Sequence, residues 1–427
     1  MTLGPRLLIF ATAFLAVFSL YAHIFVGLPS GVVTPIIAGL IALCVIVTTA
    51  LLAVPYAERQ FGQTPLRWLS LPFLLVFLVG AAMSTFWAAA GRGLSVQDWG
   101  VFAVEVGLAV AMLVHPARST LLRDIGTVAV FFAIADAGAN FLAREGIIQL
   151  SEYSGRLDAD GLRIRYPGLS GNTHAAGIVA MVAIFRIVDS WQQRPPSFDK
   201  VLGLGLVVLL FASMIQIDAR RYTDMAAVGI FLALFPLSQL PGVSLLTVGG
   251  IAASAIWGTF HNIFDGDSDL RARLMTDGYH VATRHPLLGA GPAYIEPSSI
   301  VVSSYQTLSA AGVTESGFLD LSIAYGIAAT TALVLSALCV LSAWHHRYTF
   351  PTLILLALTT ELAFGNALTG FLGAILFFAS LGFLMQDECK GAVFQAVDPE
   401  EFFYPPFLRE RDERLGHVAP RGGMPPS

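Results

Sequence analysis

Long apolar runs, each near the ~20 residues that cross a bilayer as a helix, decide what this chain can become. They recur from residue 7 to residue 386, separated by polar links that are mostly short. Charged residues make up 12% of the chain, against roughly 25% in a soluble domain. That balance excludes a soluble α/β enzyme, a nucleic-acid binder and a disordered chain. The fold class it predicts is an all-α polytopic membrane protein.

About twelve transmembrane helices are predicted, at 7–28, 32–54, 69–90, 99–115, 122–143, 172–189, 200–217, 224–240, 242–259, 316–343, 350–366 and 368–386. The first run is long and lacks a small-residue cleavage signature, so it reads as a retained helix rather than a signal peptide. Two links, 144–171 and 260–315, are long enough to fold over the membrane. Residues 387–427 mix Pro, Glu and Arg and read as a disordered tail. The chain thus divides into a transmembrane domain, 1–386, and a tail, 387–427. The Lys/Arg bias of short loops places both termini in the cytoplasm. Lys200 and Lys390, the only lysines, fall on that side. The opposite, outer side holds Arg92, Arg144, Arg156, Arg163, Arg165, Arg220, Arg221, Arg271, Arg273 and Arg284. A topology signal has no reason to prefer Arg over Lys, whereas a phosphate site does, because the guanidinium fork matches phosphate oxygens.

Four outer segments carry candidate chemistry. In 162–174, Arg163 and Arg165 lead into Pro167-Gly168 and Gly171-Asn172, with Asn172 as candidate N-cap of a helix. A helix N-terminus is a ready anion seat, although solvated Arg at the headgroups explains the segment as well. In 218–224, Arg220 and Arg221 sit in a tight outer hairpin, with Asp218 and Asp224 as alternative partners. In 267–285, Leu270, Leu274 and Val281 share one helical face, and Arg273, Asp277, His280 and Arg284 share another. This pattern predicts an amphipathic helix at the membrane surface, stopped by Pro286-Leu287-Leu288-Gly289-Ala290-Gly291. At 314–320, Glu315 sits where water meets lipid; it is a candidate general base or a plain capping carboxylate. Within the spans, Glu105, Asp136 and Glu361 cost roughly 2.5–3.5 kcal/mol each to insert and should face the bundle interior, as a proton path or as packing glue. The cysteines, Cys44, Cys339 and Cys389, have no disulfide or metal spacing. No metal or nucleotide motif is present, so no metal and no cofactor is expected.

These blocks resemble the O-antigen polymerase and ligase family (Wzy-type) of membrane glycosyltransferases, over about 160–330. Arg165-Tyr166-Pro167-Gly168 through Gly171-Asn172 resembles the family's Arg…Gly…Asn block. Arg220, or Arg221 in the alternative register, resembles its Ser-Arg, with Ala219 in place of Ser. Arg271 upstream of Pro286-Leu287-Leu288-Gly289-Ala290-Gly291 resembles its Arg…Trp…Pro-Leu-Leu-Gly-x-Gly, with Met275 in place of Trp. Glu315-Ser316 followed by Gly326 resembles the ligase His block, with Glu in place of His, which is more similar to the polymerase branch.

The resemblance implies a metal-independent polymerase of undecaprenyl-pyrophosphate-linked repeat units, acting at the periplasmic face of a bacterial inner membrane. Its product would be an O-antigen or exopolysaccharide. Arg220 and Arg271 would act with Glu315 in catalysis, and Arg163, Arg165, Arg221, Arg273 and Asn172 would bind the pyrophosphate. Its partners would be the lipid-linked glycan, membrane lipid, and a chain-length regulator and a flippase; nucleic acid is not among them. The alternatives are an O-antigen ligase or O-oligosaccharyltransferase using the same donor, a secondary transporter, and a non-catalytic polysaccharide-assembly partner.

Overall fold

The computed structural model describes residues 3–22, 30–53, 65–92, 106–148, 156–157, 164–165, 168–170, 173–193, 198–217, 219–234, 270–292, 316–343, 350–364 and 371–385. Within them the regular structure is helical apart from one antiparallel pair of two-residue strands. These are β1 (Arg156–Leu157) and β2 (Ile164–Arg165), with Arg156 opposite Arg165. The first helices are α1 (Leu3–Phe18), α2 (Ser30–Ala53), α3 (Pro65–Arg92), α4 (Leu108–Val114) and α5 (Arg118–Arg144). A 3-10 turn, Gly168–Ser170, precedes α6 (Thr173–Gln193), α7 (Phe198–Gln216), α8 (Arg220–Leu234) and α9 (Leu270–Arg284). The last are α10 (Gly317–Tyr325), α11 (Ile327–Ala343), α12 (Phe350–Phe364) and α13 (Phe371–Met385). The expected span at 242–259 and the tail at 387–427 lie outside the described residues.

Three stretches are long and apolar enough to cross a membrane: Ser70–Gly91, Arg118–Arg144 and Thr173–Trp191. Shorter apolar helices accompany them, at Gly4–Phe18, Gly39–Thr49, Lys200–Gln216, Ile327–Ser342, Phe350–Leu362 and Phe371–Met385. Helix α13 is apolar all round, and all but one of its residues from Leu372 to Met385 are buried, so it runs through the core. By contrast, α3 and α7 turn large apolar side chains outward: Phe86 is 70% exposed, Trp87 66% and Val201 67%. An apolar surface of that extent is unsuited to water and suited to lipid tails. The chain is a membrane-associated helical protein.

Small residues set the closest helix contacts. A Cβ on Gly80 of α3 would lie 2.8 Å from the Cβ of Ala329, so α3 and α11 approach almost backbone to backbone. Gly177 of α6 leaves room for the Tyr222 ring of α8, and Gly229 of α8 leaves room for the Phe185 ring of α6. These two reciprocal seats fix α8 along α6.

Charged groups close one end of the bundle. Arg6 of α1 grips both carboxylate oxygens of Asp124 of α5, the Nη2–Oδ1 bond being 2.9 Å. Asp189, late in α6, accepts from the Phe350 N–H at the start of α12 at 3.1 Å, and pairs with Arg186 at 3.2 Å. This places a carboxylate at a helix N-terminus, where the backbone dipoles favour it. Arg118 is buried, yet its Nη1 donates to the Leu113 and Met112 carbonyls at the end of α4. Those carbonyls have no partner within their own helix.

The expected single helix at 316–343 is broken. It stops at Tyr325 and resumes at Ile327, with Gly326 at φ 91° between. The Ile323 and Ala324 carbonyls accept instead from the backbone N–H groups of Ala290, at 2.6 Å, and Gly291, at 3.2 Å. Ser84 of α3 also donates to the Ala324 carbonyl, at 2.6 Å. In return the Ala328 N–H donates to the Pro286 carbonyl at 3.4 Å. The 286–291 turn is thus stitched into the break. Gly289 has φ 66°, and a Cβ there would lie 2.6 Å from both accepting carbonyls. A Cβ on Gly326 would strike the Leu287 carbonyl. The helix expected to lie at the membrane surface packs by its apolar face on α10. Helix α9 runs parallel to α10, with Tyr279 on Leu319, and Val281 and Ala282 clustered with Ile323. The two faces predicted for it hold where they are described: Val281 is buried, and His280 and Arg284 are exposed.

Replacing Gly289 or Gly326 by Ala should therefore destabilise the protein by about 1–3 kcal/mol from backbone conformation alone, before any clash. Gly205→Ala, in α7 with nothing near its Cβ position, should be neutral or stabilising. Melting temperatures of the three variants in detergent check this; equal melting would refute the stitched turn.

Candidate functional site

At the end of the bundle opposite Arg6 and Asp189, polar side chains from five helices gather in two neighbouring clusters. The first fixes the entry to α6. Asp136 of α5 is 4% exposed, and its Oδ1 accepts from the Leu169 N–H in the 3-10 turn. Its Oδ2 accepts from the Tyr21 hydroxyl, just beyond α1, at 3.0 Å. A buried carboxylate needs such partners. Here they tie the turn before α6 to α5 and to the end of α1.

The second cluster joins α6, α8 and α12. Helix α8 begins at Arg220, and the Ala219 carbonyl accepts from the Thr223 N–H at 3.0 Å to close its first turn. Its second residue, Arg221, places Nη1 3.5 Å from Oε1 of Glu361, a residue of α12 that is 1% exposed. The next residue, Tyr222, donates its hydroxyl to the same oxygen at 3.2 Å. Nη2 of Arg221 lies 3.4 Å and 3.5 Å from the two ring nitrogens of His174, which is exposed in the first turn of α6. The His174 ring also meets the Tyr222 ring edge-on, at 6.2 Å between centroids. Among the described residues, Arg221 Nη1 and Glu361 Oε2 are buried without a hydrogen-bond partner.

The start of α10 reaches the same end. Ser316 is fully buried; its hydroxyl donates to the Leu362 carbonyl and accepts from the Leu319 N–H, both at 3.4 Å. Leu362 follows Glu361 directly, so the residue after Glu315 is anchored one position from the Arg221 counter-ion. Traced back from Tyr279 toward Arg271, α9 runs in the direction of Ser316.

Of the candidate catalytic, diphosphate-binding and intramembrane residues, Arg221, Asp136 and Glu361 are placed with their side chains, and Arg221 and Glu361 are brought together. Asp136 and Glu361 face inward as expected but share no partner. Arg165 in β2, Arg220 at the start of α8, and Arg271 and Arg273 in the first turn of α9 are placed by backbone only. Arg163, Asn172, Glu315 and Glu105 lie outside the described residues. Sequence reasoning missed Tyr21, Tyr222 and the contacts of His174. Tyr222 directly follows the two arginines and was the available signal; nothing in the sequence pairs Tyr21 with Asp136. Comparison with protein-family models, with curated proteins and with solved structures finds no match.

Arg221→Ala should cost about 3–5 kcal/mol, because it leaves a buried carboxylate without its cation. Adding Glu361→Gln to that variant should recover most of the loss, since the carboxamide carries no charge. Thermal unfolding of the two single variants and the double variant, in the same detergent, measures the coupling. Strictly additive losses would show that the pair is not energetically linked.

Proposed function

We propose that this protein is a membrane glycosyltransferase that polymerises undecaprenyl-pyrophosphate-linked oligosaccharide repeat units at the periplasmic face of a bacterial inner membrane. One observation supports this reading above the others: segments far apart in sequence meet at one end of the bundle. They are the turn and first residues of α6, the start of α8, the first turn of α10, and α9 packed along α10. These are the segments that carry the four blocks of the family resemblance.

In this reading Arg165, Arg220 and Arg271, with Arg163, Arg221, Arg273 and Asn172 beside them, hold the diphosphate of the donor. Guanidinium groups fixed before the reaction stabilise the charge that collects on the leaving diphosphate. The anomeric carbon–oxygen bond to the diphosphate breaks as the acceptor hydroxyl oxygen bonds to the same carbon. Glu315 takes the hydroxyl proton. Direct attack inverts the anomeric configuration. Helix α9, packed against α10, limits the access of water that would otherwise hydrolyse the donor. A ligase would use the same donor seat with a different acceptor.

Deleting the protein in its host and analysing the lipid-linked pool tests the reading. Single repeat units accumulating on the carrier are the expected result. Full-length polymer stranded on the carrier would indicate ligation instead, and an unchanged pool would point to transport or scaffolding. Alanine at Arg220 or Arg271 should lower turnover on the order of 10²-fold, the loss typical of removing one charge-stabilising donor. A normal product length distribution with intact expression would sink the catalytic assignment.

A further inference from the structure

The turn that fills the break lies well inside the ends of the helices around it. The Ala324 carbonyl that it bonds also accepts from Ser84 of α3. Ser84 is seven residues short of the end of the apolar stretch Ser70–Gly91, and Ala324 is seven residues past the start of α10. At 1.5 Å per residue, both helices put the turn about 10 Å inside their ends. Side chains on α3 mark how far the lipid extends. Phe86 and Trp87 are nearer that end than Ser84 and turn outward, so apolar surroundings continue past the level of the turn. The turn has a matching flank. Leu287 is 73% exposed, and with Leu288 and Ala328 it borders an apolar groove against Val76, Val79 and Met83 of α3. That flank suits lipid and not water.

Helix α9 reaches this level by running beside α10 in the same direction, with Tyr279 on Leu319 and Val281 and Ala282 against Ile323. Its face turned away from α10 is polar: His280, Thr283, Arg284 and then His285 are exposed. Ionisable side chains turned to hydrocarbon are costly. Backbone that leaves the helix at membrane depth is tolerated where it is buried in protein or borders water. One segment therefore needs two surroundings, lipid on the Leu287 side and water on the His280–His285 side.

We propose that α9 and the 286–291 turn form a re-entrant segment. It enters the membrane from the end of the bundle where Ser316 lies, and its face turned away from α10 lines a water-filled recess. Through this recess, polar and charged solutes reach His280 and His285 below the membrane surface, while lipid closes the Leu287 flank. The inference goes beyond the transferase reading and does not depend on it.

Single cysteines test both flanks in the full chain, reconstituted in liposomes after Cys44, Cys339 and Cys389 are replaced by Ser. His285→Cys probes the wet flank, and His280→Cys repeats the measurement about one turn earlier. Val208→Cys, on the outward face of α7, is the lipid-facing reference. A charged methanethiosulfonate is supplied on both sides of the membrane. His285→Cys and His280→Cys should react at least about tenfold faster than Val208→Cys, because a thiol ionises in water and not in apolar surroundings. Leu287→Cys, tagged with a small fluorophore before reconstitution, reports depth. Lipids spin-labelled along the acyl chain should quench it more than lipids labelled at the headgroup. Reaction of both histidine-site cysteines as slow as that of Val208→Cys overturns the recess. Stronger quenching by the headgroup label overturns the re-entrant path and returns α9 to the membrane surface.

Discussion

A polypeptide in lipid must satisfy its own backbone hydrogen bonds, because no water is present to do so. The break at Gly326 puts that constraint to work. Two carbonyls left open where α10 ends are filled by two N–H groups of the 286–291 turn, and the turn's own Pro286 carbonyl receives the Ala328 N–H beyond the break. The exchange is possible only where two backbones touch, and Gly289 and Gly326 are the residues that permit the touch. The joint holds α9 along α10, and the Ser316 hydroxyl holds the start of α10 at the end of α12. The polar clusters at that end are assembled around this frame.

The same economy governs the charged groups. Four of the described buried carboxylates have partners on other elements: Asp124 on α1, Asp136 at the end of α1 and in the turn before α6, Asp189 at the start of α12, and Glu361 on α8. Insertion of such residues is costly, and here each one fixes the register of two elements. Glu361 differs from the others, since one of its oxygens and the facing Arg221 nitrogen remain without hydrogen bonds among the described residues. The remaining capacity lies where the first turns of α6, α8 and α10 come together.

Much of the architecture was legible from hydropathy alone, because apolar runs near bilayer length leave few options; the helices at 118–144, 173–193 and 371–385 fall close to their expected limits. The inward aim of Asp136 and Glu361 was also readable, since the cost of a charge in lipid is a strong rule. The broken helix was not. A lone Gly in an apolar run is common, and only the turn that fills the break, 35 residues earlier at Gly291, gives it meaning. The contact of α9 with α10 was not legible for a related reason: an amphipathic pattern has one apolar face whether that face meets lipid or another helix. In the site, the arginine-rich hairpin was visible, but its partner Glu361 lies on α12 and His174 on α6, and no local spacing connects them.

The joint between the turn and the broken helix also sets a mechanical boundary. Helix α9 is pinned at its C-terminal end by backbone bonds between the turn that follows it and the break at Gly326. Opening the turn would also strip the Ile323 and Ala324 carbonyls of their backbone partners, so the turn and the break come apart together or not at all.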